Sequence, residues 1–281
     1  MNFVTGAARA ALATGLVFAA FAVPAPAKAA GASEWKGDNA ARVRLIAGAR
    51  MPDGKLYAGL EFDLTEGWKT YWRAPGDSGV PSVFNWERSQ NVKSVKVHWP
   101  APSRFKDKYG WNNGYAKDFV FPIEVSPKNP AEPVKLELLL YYGVCEELCI
   151  PGKADLSLVM APEGHSGHQA LIGRYLQMVP KPADSKSAVK VSGVEVEKVG
   201  EAINLQVTLK KDIPKPVTLF LEGPSAFYFA IPHRKSGADD KTSRFQVVVD
   251  GAAEAADLKG KELRFTAVQG ELRLEQTWRL D

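Results

Sequence analysis

Between Lys55 and Thr65, apolar Leu56, Ala58, Leu60, Phe62 and Leu64 alternate with Tyr57, Gly59, Glu61 and Asp63. A period of two sustained over that length predicts a strand with one buried face. Shorter stretches of the same kind lie on either side: ARVRLIAGA before it, then WKTYWR, VKSVKVHW, DFVFPIEV, VKLELLLYYG and ADLSLVM. Segments rich in Gly, Pro, Asn and Asp separate them, among them APGDSGVPS, NNGYAKD and SPKNPAEP. Short strands bounded by turn residues, with no helix between them, predict a β-sandwich rather than a parallel α/β sheet.

At Glu163 the period changes. Leu171 and Tyr175, and then Ile172, Leu176 and Val179, recur at helical spacing. Ser166 with Gln169 three residues later has the form of a capping box, and Pro180 and Pro182 close the segment. Strand patterns then return in INLQVTL, VTLFLEG, RFQVVVDG, ELRFTAVQG and LRLEQTWRL. The expected organisation is all-β: one sandwich over residues 34–162, a helix and linker over 163–187, and a second sandwich over 188–281.

The N-terminus reads differently from the rest. Arg9 precedes an apolar run from Ala10 to Val23, and Ala27 and Ala29 follow in an A-x-A arrangement. This is the layout of a secretory signal spanning residues 1–29, and its apolar core is shorter than the roughly 20 residues a bilayer span requires. No later segment is apolar enough to cross a membrane, so the mature chain is expected to be exported, to a bacterial periplasm by the style of the signal. Without that signal the chain carries 34 basic and 32 acidic residues, a net charge of +2. That balance, with no basic stripe, argues against a nucleic-acid partner.

Export changes what the two cysteines can mean. Cys145 and Cys149 lie in YYGVCEELCIP, and an oxidising compartment lets such a pair form a disulfide. As a staple it is weak, because closing a loop of about five residues contributes only about 2 kcal/mol in the chain-entropy model. As a metal site it lacks ligands: His98, His165, His168 and His233 are remote in sequence, and structural zinc needs four donors. As a redox-active dithiol it departs from a thioredoxin site in its spacing and in having no βαβ context. Glu146 and Glu147 disfavour a thiolate, and Lys153 is the nearest cation in sequence. Such a pair suits a relay whose disulfide is attacked by a partner. From the residues alone the three readings stay open, with a two-sandwich binding or chaperone-like module as the rival function.

The segment YYGVCEELCIP resembles the active-site stretch of the N-terminal periplasmic domain of DsbD-type thiol:disulfide interchange proteins, and more closely that of the ScsB subgroup. GWKTYWRAPGDSGVPSVFNW, VHWPAPSRF and GYAKDFVFPIEV occur upstream in the order of that domain's strand and loop signatures. The resemblance covers roughly residues 34–160, and the second sandwich is similar to the extra immunoglobulin-like region of ScsB-type ectodomains. It implies two tandem immunoglobulin-like sandwiches and a relay with Cys145 and Cys149 as the exchanging pair. Electrons would come from a membrane carrier or a thioredoxin-like periplasmic protein and pass to oxidised periplasmic proteins. No cofactor beyond the disulfide is implied; a link to copper tolerance is. The chain shows no polytopic membrane segment and no thioredoxin-like region, so a separate partner is expected to supply electrons.

The resemblance also implies a cap over the pair. Its counterpart is SRFKDKYGWNNGY, with Phe105, Tyr109 or Trp111 as the covering aromatic. Asp107 and Tyr71 match the acidic and tyrosine side chains beside the cysteines, and Glu146 and Glu147 flank them. Cys145 is expected to be the more accessible sulfur and Cys149 the resolving one. From the residues themselves Trp68, Tyr71, Trp72, Trp86 and Trp99, and Phe227, Tyr228 and Phe229 in the second half, read as packing residues, Tyr71 being a site candidate only through the resemblance. GPSAFYFAIPHR, however, is apolar enough to form a contact surface.

Overall fold

The alternation around Phe62 does bury one face. In the strand Leu56–Leu64 the residues Leu56, Ala58, Leu60 and Phe62 are fully buried, while Tyr57, Glu61 and Asp63 are half-exposed. The computed structural model describes residues 31–108, 110–165, 167–235, 239 and 241–281. The expected signal at 1–29, Tyr109 of the expected cap, and Ser166 of the expected capping box lie outside the described residues.

Among the described residues the first sandwich contains β1 (Lys36–Gly37), β2 (Ala41–Arg50), β3 (Leu56–Leu64), β4 (Lys69–Gly76), β5 (Val83–Asn85), β6 (Val92–Val97), β7 (Ser103–Asp107), β8 (Gly110–Tyr115), β9 (Phe119–Pro127), β10 (Val134–Cys145) and β11 (Cys149–Met160). One sheet has the order β1-β2-β3-β9-β6. The other runs β11-β10-β4-β8-β7, with β5 also on β10. Between them lies an apolar core in which Phe62, Tyr115, Phe119 and Phe121 pack by stacked and edge-on ring contacts.

Two segments depart from the sequence expectation. NNGYAKD was expected to separate strands, yet Asn112, Asn113, Gly114 and Tyr115 are buried in β8, and the turn falls after them. Gly114 explains the choice of residue, since a Cβ there would lie 2.0 Å from the Thr70 carbonyl oxygen on β4. The expected cap is therefore a β-hairpin, β7–β8, rather than an irregular loop.

The helix forms as α1 (Gln169–Gln177), burying Ile172 and Tyr175 against the first sandwich. His168 occupies its N-cap. The Gln169 side-chain oxygen accepts the Ala49 backbone N–H at 2.8 Å and so ties the helix to β2.

The second sandwich comprises β12 (Lys181–Pro182), β13 (Val189–Val199), β14 (Ala202–Lys211), β15 (Thr218–Glu222), β16 (Tyr228–Phe229), β17 (His233–Arg234), β18 (Thr242–Asp250), β19 (Glu262–Gln269) and β20 (Leu272–Arg279). Its sheets are β12-β20-β19-β15 and β13-β14-β18-β16, with β17 on β18. The sequence pattern did not reveal β13, because a register shift between Val191 and Gly193 breaks the period of two. Phe220 of β15 is 1% exposed and lies not in the second core but in the first, with its ring 5.7 Å from that of Trp72.

Burial gives the fold an alkaline limit. It pushes Tyr71 and Tyr142 up to about 12, helped by the charges of Asp107 and Asp38 respectively, and it raises Tyr115 as well. An unfolded chain ionises tyrosine near pH 10, so between about pH 10 and 12 the unfolded state sheds protons that the folded state keeps. The stability from these buried phenols is complete below pH 10 and falls as pH rises toward 12. The urea midpoint should drop between about pH 9 and pH 11, and Tyr142→Phe should make that drop smaller.

Candidate functional site

The position of the cysteines follows from strand register. β10 and β11 pair antiparallel without a break from Val134 opposite Met160 to Cys145 opposite Cys149. A three-residue loop, Glu146 to Leu148, closes the hairpin. The cysteines are thus the last cross-strand pair of the ladder, with Cα atoms 4.1 Å apart, and they form a disulfide. On its other side β10 meets β4, with Cys145 opposite Lys69 and Val144 opposite Thr70. The Thr70 hydroxyl donates to the Gly143 carbonyl at 2.8 Å and locks the two strands at the site.

Tyr71 follows on β4. Its ring is buried, and its hydroxyl donates to Cys145 Sγ at 2.5 Å and lies 3.4 Å from Cys149 Sγ. One phenol therefore spans both sulfurs. Burial is the main reason it holds its proton up to about 12, and the Asp107 carboxylate adds to this. At neutral pH Tyr71 is a hydrogen-bond donor and not a base. Asp107 is held in turn by Asn112, whose amide donates to Asp107 Oδ2 at 2.8 Å. Asn112 is fully buried and also binds Ser78.

The hairpin β7–β8 brings Phe105 against Tyr71, with ring centroids 6.4 Å apart. The Lys69 ammonium lies 5.7 Å from the same Phe105 ring. Trp111 is placed elsewhere. Paired with Lys106 rather than with Phe105, it faces a crevice shared with Arg104, Val217, Pro232 and His233. Glu146 and Glu147 are exposed in the loop between the cysteines, and Glu146 lies against Gly67, where a Cβ would be 2.5 Å from its Oε1.

The accessibility of the two sulfurs is the reverse of the expectation. Cys145 is 3% exposed, whereas Cys149 is an exposed residue that opens into a cleft lined by Lys69, Lys106, Asp107, Lys108, Glu146 and Glu147. The physical reason is the sheet. Cys145 is flanked by β4 and covered by Tyr71, while Cys149 begins β11, the edge strand of its sheet among the described residues. The charge expectation also changes. The nearest cation in sequence is Lys153, but folding brings Lys69, Lys106 and Lys108 to the rim beside the two glutamates. The signal for Lys69 lay in WKTYW, since positions two apart on a strand share a face and Lys69 stands two before Tyr71. Beside this cleft Leu148, Val80, Val83 and Tyr141 are exposed, and Val83 and Tyr141 are register partners.

This geometry has counterparts. The family model "Thiol:disulfide interchange protein DsbD, N-terminal" matches residues 39–161. The crystal structure of the N-terminal periplasmic domain of ScsB from Proteus mirabilis superposes with a TM-score of 0.68 at 25% identity, covering 89% of this chain and 98% of that one. Residues 39–161 form a DsbD/ScsB-type N-terminal domain. The ScsB domain aligns well beyond that segment, so its likeness takes in both sandwiches. No curated sequence matches the chain. The matched family is one of thiol:disulfide interchange proteins, and DsbD-type domains in general interact with thioredoxin-like proteins. Among the described residues no helix is long and apolar enough to cross a membrane, and no group of three or more His, Cys, Asp or Glu could hold a metal ion.

The difference in exposure generates a direct expectation. When the reduced protein is treated with a limiting amount of an alkylating reagent, peptide mapping should find the label on Cys149 well ahead of Cys145.

Proposed function

We propose that the protein is a periplasmic thiol–disulfide relay in which Cys149 is the sulfur that meets partners and Cys145 is the one that leaves and resolves. One observation carries this reading: a buried, protonated Tyr71 lies across both sulfurs while only Cys149 belongs to an exposed residue.

The exchange runs in two half-reactions. A partner thiolate attacks Cys149 Sγ; the S–S bond breaks, and Cys145 departs as a thiolate that accepts the Tyr71 O–H. Hydrogen bonding to the charged sulfur favours it, and burial without that bond would oppose it. The partner's second thiol then attacks the mixed disulfide and releases Cys149. The partner is left with a disulfide and the relay with two thiols, having gained two electrons and two protons. In the second half-reaction the Cys149 thiolate attacks the disulfide of an oxidised protein, and Cys145 attacks the resulting mixed disulfide. The relay disulfide is restored and the client leaves as a dithiol.

The donor in this reading is a thioredoxin-like protein or a membrane electron carrier, and the clients are oxidised periplasmic proteins. The apolar fringe of Leu148, Val80, Val83 and Tyr141 supports protein partners rather than small thiols, because a partner reaching Cys149 covers it. A contribution to copper tolerance, expected only from the family resemblance, would follow from keeping exported thiols correctly paired.

Three measurements test the proposal. A redox titration should place the midpoint above about −300 mV, and a lower value would mark an inert structural bond. Cys145→Ser should accumulate mixed disulfides through Cys149 in cells, and capture of no partner would overturn the relay. Tyr71→Phe should slow reduction of the disulfide by roughly tenfold, the loss expected for a hydrogen bond to a charged group. In the unsubstituted protein that rate should rise with pH only as the attacking thiol ionises, with no inflection from Tyr71 below its value of about 12.

A further inference from the structure

The second sandwich contains no cysteine, yet it is fastened to the two strands, β4 and β7, that carry Tyr71 and Phe105 beside the disulfide. On β4, two residues beyond Tyr71, Arg73 forms a two-pronged pair with Glu222 through Nε–Oε2 and Nη2–Oε1, each 2.8 Å, and also meets Glu275. Between Tyr71 and Arg73, Trp72 packs on Phe220. On β7, immediately before Phe105, Arg104 donates to the Leu219 carbonyl at 2.6 Å and to that of Pro232 at 3.4 Å, and its guanidinium lies 4.9 Å from the Phe220 ring. At the hairpin tip, Tyr228 donates to Asp77 Oδ1 at 2.5 Å while Asp77 Oδ2 accepts the Trp111 N–H at 2.8 Å. Gly110 sits on the same carboxylate, with φ +139° and room for no Cβ, which would fall 2.4 Å from Oδ2.

The hairpin's own hold on its sheet is sparse. β4 and β8 pair at Thr70–Tyr115, Tyr71–Gly114 and Gly76–Asn112, with the register broken between Tyr71 and Gly76. A two-stranded hairpin attached that lightly is free to hinge unless something restrains it from behind. Within the first sandwich β8 is tied by Ser78 to Asn112, by the Asn113 amide donating to the Ala74 carbonyl and by the Asp77 N–H donating to the Trp111 carbonyl. The second sandwich adds restraints through Arg104 and Asp77, which are hydrogen bonds with a charged partner, the stronger kind. The segment GPSAFYFAIPHR, apolar in sequence, is the part that does this: Phe227 to Pro232 line a crevice of about 280 Å³ against Arg73, Gly76 and Asn113.

We propose that the second sandwich sets how far the Phe105 hairpin opens over the disulfide, with Tyr228, Asp77 and Arg104 as its positioning residues. The inference rests on the relay reading only in taking Cys149 as the sulfur that reacts. Releasing the hairpin uncovers Tyr71 and widens the approach to the already exposed Cys149; holding it keeps Phe105 against Tyr71 and Lys106, Asp107 and Lys108 at the rim of the cleft, which narrows that approach.

The test is the rate at which iodoacetamide labels Cys149 in the reduced full-length protein, read by mass spectrometry. Tyr228→Phe, which removes one hydroxyl and leaves the packing, should label on the order of tenfold faster, the factor one hydrogen bond to a charged group represents. Arg104→Gln should act in the same direction. Phe105→Ala should also accelerate labelling, and the double variant Tyr228→Phe with Phe105→Ala should be no faster than Phe105→Ala alone, because both act through one ring. A general loss of structure would instead lower the thermal midpoint and expose Cys145 equally, so both are recorded. An unchanged rate in Tyr228→Phe, or effects that simply multiply in the double variant, would overturn the proposal. Labelling by a small reagent reports access alone. The positioning role can therefore stand if the disulfide proves inert in redox titration, and it can fall while partner trapping still succeeds.

Discussion

Everything at the site depends on one unbroken ladder. From Val134–Met160 to Cys145–Cys149 the β10–β11 hairpin keeps a single register, so the side chains of its last pair must meet. A shift of one residue would send one sulfur to the opposite face of the sheet. The three-residue loop leaves no slack to correct such a slip. The ladder also decides what surrounds each sulfur, because Cys145 ends a strand with neighbours on both sides and Cys149 begins one at the edge.

That constraint acts together with the two faces of β4. Tyr71 reaches the disulfide, Thr70 and Trp72 bind the sheet and the neighbouring sandwich, and Arg73 holds two carboxylates of the second sandwich. Four consecutive residues thus carry the site, the sheet contact and the domain contact. Local burial turns an ordinary tyrosine into a lasting proton donor, and Asp107, itself fixed by Asn112, reinforces this.

Much of this was legible in the chain. Period-two patterns marked β3, β10, β14 and most other long strands, while the cysteine spacing left three readings open and only the family resemblance around it pointed to thiol–disulfide exchange. What escaped was set by contacts distant in sequence. Asn112 and Gly114 look like turn residues, but one is a buried amide that orients a carboxylate and the other a close crossing with Thr70. β13 was hidden by its bulge. The exposure of the sulfurs could not be read from spacing, because it depends on which strand has β4 beside it. Lys69 could have been found from its place two residues before Tyr71. Lys106 and Lys108 could not be assigned to the rim without the hairpin that carries them there.

The burial of Cys145 has a consequence for traffic. With one sulfur sealed beneath a phenol and the other at the rim, the donor and acceptor of the proposed relay would both form their covalent link to the same atom, Cys149 Sγ. They cannot be attached at once. A relay of this design turns over by ping-pong kinetics, with each partner a competitive inhibitor of the other for the form of the protein it does not consume. Net flux through it then depends on the relative abundance of reduced donor and oxidised client, and either one in excess slows the cycle.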